Sequence, residues 1–251
     1  MELREVVKTS GLTKYYNGQC AVDHLSFDVK EGEIFGFLGP NGAGKTTTIL
    51  MLLGLTYPSQ GSASVLGMDP IKKAKEVKRV VGYLPENVGF YQDLNAIESL
   101  QYIADLNGIP KREVDKKIEE ALEVVGLMED AEKLVGNYSR GMKQRLGIAE
   151  VLIKDPKVMF LDEPTLGLDP EAAIKIIDLI SQLNSERGIT VLLSSHNLYQ
   201  VQKMCTRVGI MIRGKMVAIG TIDELAKQRF GIGDREYTLE EIYLHFFKEA
   251  Q

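Results

Sequence analysis

The 251-residue chain has a formal net charge of −5 and is 44% hydrophobic, enough for a sizeable core in one large domain or two lobes. That charge gives no general attraction to nucleic acid or anionic membrane, and two cysteines, Cys20 and Cys205, argue against a disulfide framework and suit a reducing compartment. No apolar run approaches the ~18–20 residues of a membrane-spanning helix, and the charged start (Glu2, Arg4, Glu5) lacks a signal peptide's apolar core, so a soluble cytoplasmic chain is expected.

From about Leu3 to Val29 apolar and polar residues alternate around a Tyr16-Asn17-Gly18 turn, which predicts antiparallel strands. Ile34 to Leu38 is an apolar run of buried-strand length. It leads into Gly39-Pro40-Asn41-Gly42-Ala43-Gly44-Lys45-Thr46-Thr47, which fits the phosphate-binding pattern G-x-x-x-x-G-K-S/T. An apolar stretch from Thr48 to Leu53 follows, with Gly54 where a helix would stop. Strand, glycine loop and helix is the arrangement that aims a helix N-terminus at phosphate. The glycines let the backbone curl so that successive N–H groups point inward at an anion. Lys45 supplies a mobile charge for the outer phosphates, and the Thr46 hydroxyl is suited to ligate magnesium.

Tyr57 to Gly67 is turn-rich and reads as a further strand of the antiparallel layer, and Val80 to Leu84 as a short strand closed by Pro85. From about Phe90 to Asp155 the pattern becomes helical. Asn95 followed by Glu98 makes a helix start, with Leu100, Ile103, Ala104 and Leu106 at helical spacing and Gly108 and Pro110 at the end. Val114, Ile118, Ala121, Leu122 and Val125 mark a charged amphipathic helix stopped by Gly126, its charges reading as a solvated face. A third helix starts near Ser139, turns Leu146, Ala149 and Leu152 inward and ends at Asp155-Pro156. Val158 to Leu161 and Thr190 to Ser195 are unbroken β-prone runs, as in buried parallel strands. Between them Glu171 to Glu186 is helical by period, through Ile174, Ile177, Leu179 or Ile180, and Leu183. Val208 to Ile212 and Lys215 to Ala218 flank Arg213-Gly214 as a hairpin, and Leu239 to Lys248 closes as a helix with Ile242, Tyr243, Phe246 and Phe247 available to pack.

Three apolar strands end in polar residues: the phosphate loop after Leu38, Asp162-Glu163-Pro164 after Leu161, and His196 after Ser195. Ligands of open α/β sheets sit beyond the carboxyl ends of the strands, so Lys45, Thr46, Asp162, Glu163 and His196 are expected in one crevice. Phosphoryl transfer to water needs charge neutralisation, a divalent metal and an oriented nucleophile. Asp162, first beyond its strand, is suited to hold Mg²⁺ directly or through a water. Glu163 is the better candidate for polarising the attacking water, and His196 for contacting the γ-phosphate and fixing that water.

Together these residues resemble the ATP-binding cassette of ABC transporters, and the likeness covers nearly the whole chain. That family carries a signature segment ahead of a helix, usually Leu-Ser-Gly-Gly-Gln, which here reads Tyr138-Ser139-Arg140-Gly141-Met142. Ser139 and Gly141 are retained while Tyr138, Arg140 and Met142 depart. Ser139 can cap the helix and bond to phosphate, and Gly141 lets backbone approach closely. Tyr16 stands where the family has an aromatic that stacks on adenine, with Tyr15 or a core role for the ring as alternatives. Leu168-Asp169 resembles the loop that crosses between partner cassettes, and His196 matches the family's switch histidine. Glu86, after Gly82-Tyr83-Leu84-Pro85, replaces the glutamine of most members; a carboxylate there could bind metal or water, while adding negative charge near the phosphates.

The resemblance implies an α/β fold, a P-loop NTPase (RecA-like) core with an antiparallel β layer and an inserted helical subdomain. The core and β layer would span about 1–86 and 157–235, the helical subdomain about 87–156, and a helical tail about 236–251. It implies Mg²⁺-dependent ATP hydrolysis by two cassettes packed head to tail, ATP on one phosphate loop meeting Ser139 and Gly141 of the other. The expected function is to power transport, toward export, through a separate membrane-spanning permease, with the chain held peripherally on the inner face of the membrane. A soluble ABC-type ATPase in a non-transport machine is the alternative. Translation members carry two cassettes in tandem and repair members a long heptad insertion, and neither feature is present. No nucleic-acid partner is expected.

Overall fold

The computed structural model describes residues 4–231 and 237–249. The expected first-strand start at Leu3 and the tail boundary at 235/236 lie outside them.

Two long strands, β1 (Glu5–Tyr16) and β2 (Gln19–Lys30), form an antiparallel hairpin about the Asn17-Gly18 turn. After β3 (Ile34–Leu38) the chain enters α1 (Lys45–Leu52) and then β4 (Gln60–Val65), which pairs antiparallel with β1. The order β2-β1-β4 is the expected antiparallel layer. Helix α1 begins at Lys45, ahead of the apolar stretch, because the glycine loop itself delivers the first turn.

A short helix, α2 (Ala74–Val80), precedes β5 (Val81–Leu84). Only Val77 of α2 is buried, so no apolar period announced it. Three helices follow: α3 (Ala96–Asn107), α4 (Lys111–Val124) and α5 (Arg140–Leu152). Asn95 and Glu98 make a reciprocal capping box at the head of α3, as their spacing predicts. Leu106, read as part of the inward stripe, remains exposed.

The second half alternates: β6 (Val158–Asp162), α6 (Pro170–Arg187), β7 (Thr190–Ser195), α7 (Leu198–Met204), then the hairpin of β8 (Arg207–Ile212) and β9 (Lys215–Gly220). Two helices follow: α8 (Ile222–Phe230) packs on β9, and α9 (Leu239–Glu249) on α7, β8 and α8. In α6 both Leu179 and Ile180 are buried, whereas Ile174 is exposed.

The larger sheet has the order β5-β6-β7-β3-β8-β9, parallel except for β9. Register pairs Leu84 with Leu161, Asp162 with Ser194 and Leu38 with Ser195, so four carboxyl ends finish level. Burial on both faces of β3, β6 and β7 explains their unbroken apolar runs. One face packs on the antiparallel layer and α1, with Phe27, Phe35 and Phe37 in mutual contact at centroid separations of 4.9–5.7 Å. The other face joins α5, α6 and α7 in an apolar cluster that continues through α3 and α4.

Candidate functional site

Gly44 caps α1 with a φ of 101°, and a Cβ there would lie 2.5 Å from the carbonyl oxygen of Ala21. Only glycine satisfies both the left-handed backbone and that approach. The start of β2 therefore presses on the phosphate loop, and Gly214, itself packed on Ala21, donates its N–H to the Ala43 carbonyl. Asn41, Gly42, Ala43, Gly44, Lys45, Thr46 and Thr47 line a cleft of about 310 Å³ with Ala21, Glu86 and Glu163. A larger cavity of about 400 Å³ lies at the opposite end of the sheet, beside Arg187 and Thr190, away from this cleft.

Lys45 is buried beneath the loop, its Nζ donating to the carbonyls of Gly39 at 2.7 Å and Pro40 at 3.3 Å. The same Nζ stands 3.5 Å from Oε1 of Glu163, an ion pair between side chains only 5% and 8% exposed. That oxygen has no hydrogen bond, although its environment is dry. The other oxygen, Oε2, lies 2.9 Å from Nδ1 of His196, whose ring is half exposed. Lys45, Glu163 and His196 thus form one chain of contacts from three strand ends.

Asp162 is the last residue of β6 rather than the first beyond it. Ser194 of the neighbouring strand donates its hydroxyl to Asp162 Oδ1 and accepts the backbone N–H of Glu163 at 3.0 Å. Ser194 is completely buried and holds both carboxylate residues, although its place in an unbroken β-prone run marks it only as strand. The available signal was two serines ending an otherwise apolar run.

Glu86 follows β5 into the same cleft. Tyr83 registers the convergence of acids there: burial, then the charges of Asp162 and Glu86, push its hydroxyl up to about 12. Among the described residues no three His, Cys, Asp or Glu side chains cluster into a self-sufficient metal cage. Magnesium characteristically uses one or two carboxylates and completes its shell with water and substrate phosphate. Thr46 and Glu86 line the cleft and Asp162 ends β6; all three carry oxygen donors of the kind that set uses, and a cation held by them would neutralise developing phosphate charge.

Tyr16 ends β1 with its ring 44% exposed and its hydroxyl 3.5 Å from Thr56 Oγ1; Tyr15 is 43% exposed, so neither ring is a core residue. Lys14 Nζ lies 4.8 Å from the Tyr16 ring centre.

Ser139, Gly141 and Asp169 are brought together, but in a separate recess. Ser139 caps α5 by accepting from Met142 N at 3.2 Å, and Asp169 caps α6 by accepting from Ala172 N at 2.9 Å. A Cβ on Gly141 would lie 3.0 Å from Ala172 Cβ, so this glycine permits the two helix starts to touch. None of the residues lining this recess also lines the phosphate cleft.

An ABC transporter family profile matches residues 22–166. The chain belongs to the ABC transporter family. The cassette is 44% identical over 96% of its length to the bacitracin transport ATP-binding protein of Bacillus licheniformis, covering 79% of that protein. It is 38% identical over 90% of its length to the linearmycin resistance ATP-binding protein of Bacillus subtilis, covering 72% of it. A solved ATP-binding subunit of an ABC transporter superposes with a TM-score of 0.85 at 28% identity, covering 96% of this chain and 99% of the other. The cassette is an α/β P-loop ATPase: it binds and hydrolyses ATP as the energy-supplying subunit of a transporter.

Proposed function

We propose that this cassette drives export through a separate membrane-spanning permease, hydrolysing MgATP between two copies packed head to tail. Supporting export are relatives named for bacitracin transport and linearmycin resistance. No described helix is long and apolar enough to cross a membrane, so transport calls for a partner and the cassette would sit at the inner membrane face. In this reading residues of about 87–156 act as a helical lobe that passes motion to the permease.

The observation that carries the reading is the contact chain Lys45–Glu163–His196 behind the glycine loop. A triphosphate in the loop offers Lys45 anionic oxygens in place of the Gly39 carbonyl and the Glu163 carboxylate. Glu163 is then free to accept a proton from the attacking water, and His196 to hold the γ-phosphate. Tyr16 stacks on adenine, while Thr46, Asp162 and Glu86 receive Mg²⁺. Ser139, Gly141 and Asp169 act across the interface toward the other copy's nucleotide, in keeping with their separation from the cleft.

Glu163→Gln should retain ATP binding, abolish phosphate release and accumulate an ATP-dependent dimer. Unchanged turnover in that variant would remove Glu163 from the mechanism. Lys45→Ala should lose ATP binding that the parent has. Co-purification with a multispanning protein from detergent extracts supports the transport role, and co-purification with ribosomes would replace it.

A further inference from the structure

We propose that Arg140 is a cation that completes the nucleotide site of the second copy, binding the outer phosphates of its ATP. This rests on the head-to-tail reading and adds to it a residue at which the chain departs from the family's glycine. Arg140 opens α5 between Ser139 and Gly141, two residues that line the recess at the proposed interface. It is exposed.

Two observations set this side chain apart from an ordinary surface arginine. First, it has a seat. Gly167, with a φ of 68°, leaves open the space that the guanidinium occupies: a Cβ there would fall 2.5–3.0 Å from Nη1, Cζ and Nη2 of Arg140. The guanidinium thus lies against the backbone at Gly167, in the loop that leads to Asp169. Second, its charge is uncommitted. Among the described residues, Asp169 caps α6 and Glu171 pairs with Lys175 at 2.7 Å. Arg145 is spent on the carbonyls of Val125 and Gly126, and Lys143 reaches Gln92. Arg140 alone of these has no hydrogen bond or ion pair. A planar and unneutralised guanidinium is matched to a phosphate group, which it can engage through two parallel N–H bonds. The positive end of α5 beside it favours the same anion.

The test uses the full chain carrying Glu163→Gln, so that MgATP is bound but not consumed, with dimerisation followed by sedimentation velocity. Arg140→Ala and Arg140→Gln in that background should weaken the ATP-dependent dimer by about tenfold or more, the scale of losing a hydrogen bond between charged groups. Affinity of the monomer for a fluorescent ATP analogue should stay within about twofold, because the contact is made in trans. Arg140→Lys should recover part of the loss, since it keeps charge without the planar fork. An Arg140→Ala dimer as tight as its parent overturns the proposal alone, as does a loss confined to monomer nucleotide binding. A parent that forms no dimer with MgATP overturns the head-to-tail reading and this proposal with it.

Discussion

Glu163 stands in left-handed backbone, with a φ of 49°, a conformation that costs a non-glycine residue about 1 kcal/mol or more. The cost is met locally, because its N–H is held by both the carbonyl and the hydroxyl of Ser194. The kink turns the Glu163 side chain toward Lys45 and His196 while Asp162, still in the strand, stays beside Ser194. Two adjacent carboxylates thereby point in different directions, at different partners. Ser194→Ala should preserve the fold and ATP binding yet lower kcat by about tenfold to a hundredfold, the usual consequence of losing a group that orients catalytic ligands. Steady-state phosphate release at saturating ATP measures it; a kcat within twofold of the parent would reduce Ser194 to a packing residue.

At the scale of elements, helix α5 is the bridge between the sheet and the signature end. Its inner face presses directly on β5: a Cβ on Gly82 would come within 2.1 Å of Val151 Cγ1, and one on Gly147 within 2.7 Å of Leu84 Cδ1. Gly82 has no left-handed backbone to preserve, so its glycine is required by this contact alone. Gly82→Ala is expected to destabilise by about 1–3 kcal/mol through overpacking, read as a lower denaturation midpoint with an unchanged m-value. Because β5 leads to Glu86, the same substitution should also weaken metal-dependent nucleotide binding. A midpoint equal to the parent's would mean that α5 shifts freely over the strand.

At the scale of the whole molecule, Glu150 makes stability depend on pH. It lies on α5 in a groove of about 180 Å³ between the sheet and the helices, lined also by Tyr83, Pro85, Ile103 and Lys154. Burial raises its carboxyl from near 4.5 to about 7. Lys154, one turn on, turns its ammonium to the carbonyls of Lys78 and Val81. Between pH 4.5 and about 7 the folded chain retains a proton that the unfolded chain has released, so this residue's contribution falls as pH rises through that window and levels off above it. Glu150→Gln should therefore stabilise the protein above pH 7, on the order of 1–2 kcal/mol with its partial exposure allowed for. Parallel stability–pH curves for variant and parent would refute the assignment.

Much of the site was legible in the chain because its chemistry depends on local order. The spacing from Gly39 to Thr46 is itself the anion loop, and the apolar runs at 34–38, 158–161 and 190–195 are buried strands whose polar ends had to emerge on one edge. The short helices α2, α7 and α8 were not legible, since each buries only one or two residues and so carries almost no period. Nor could the sequence place β7 between β6 and β3, because strand order follows from long-range pairing rather than from any local pattern. That insertion is what puts Ser194 beside Asp162 and His196 beside Glu163. Spacing alone determined which residues could meet phosphate. Tertiary packing decided which of them hold one another, and left Arg140 on Gly167 with its charge unspent.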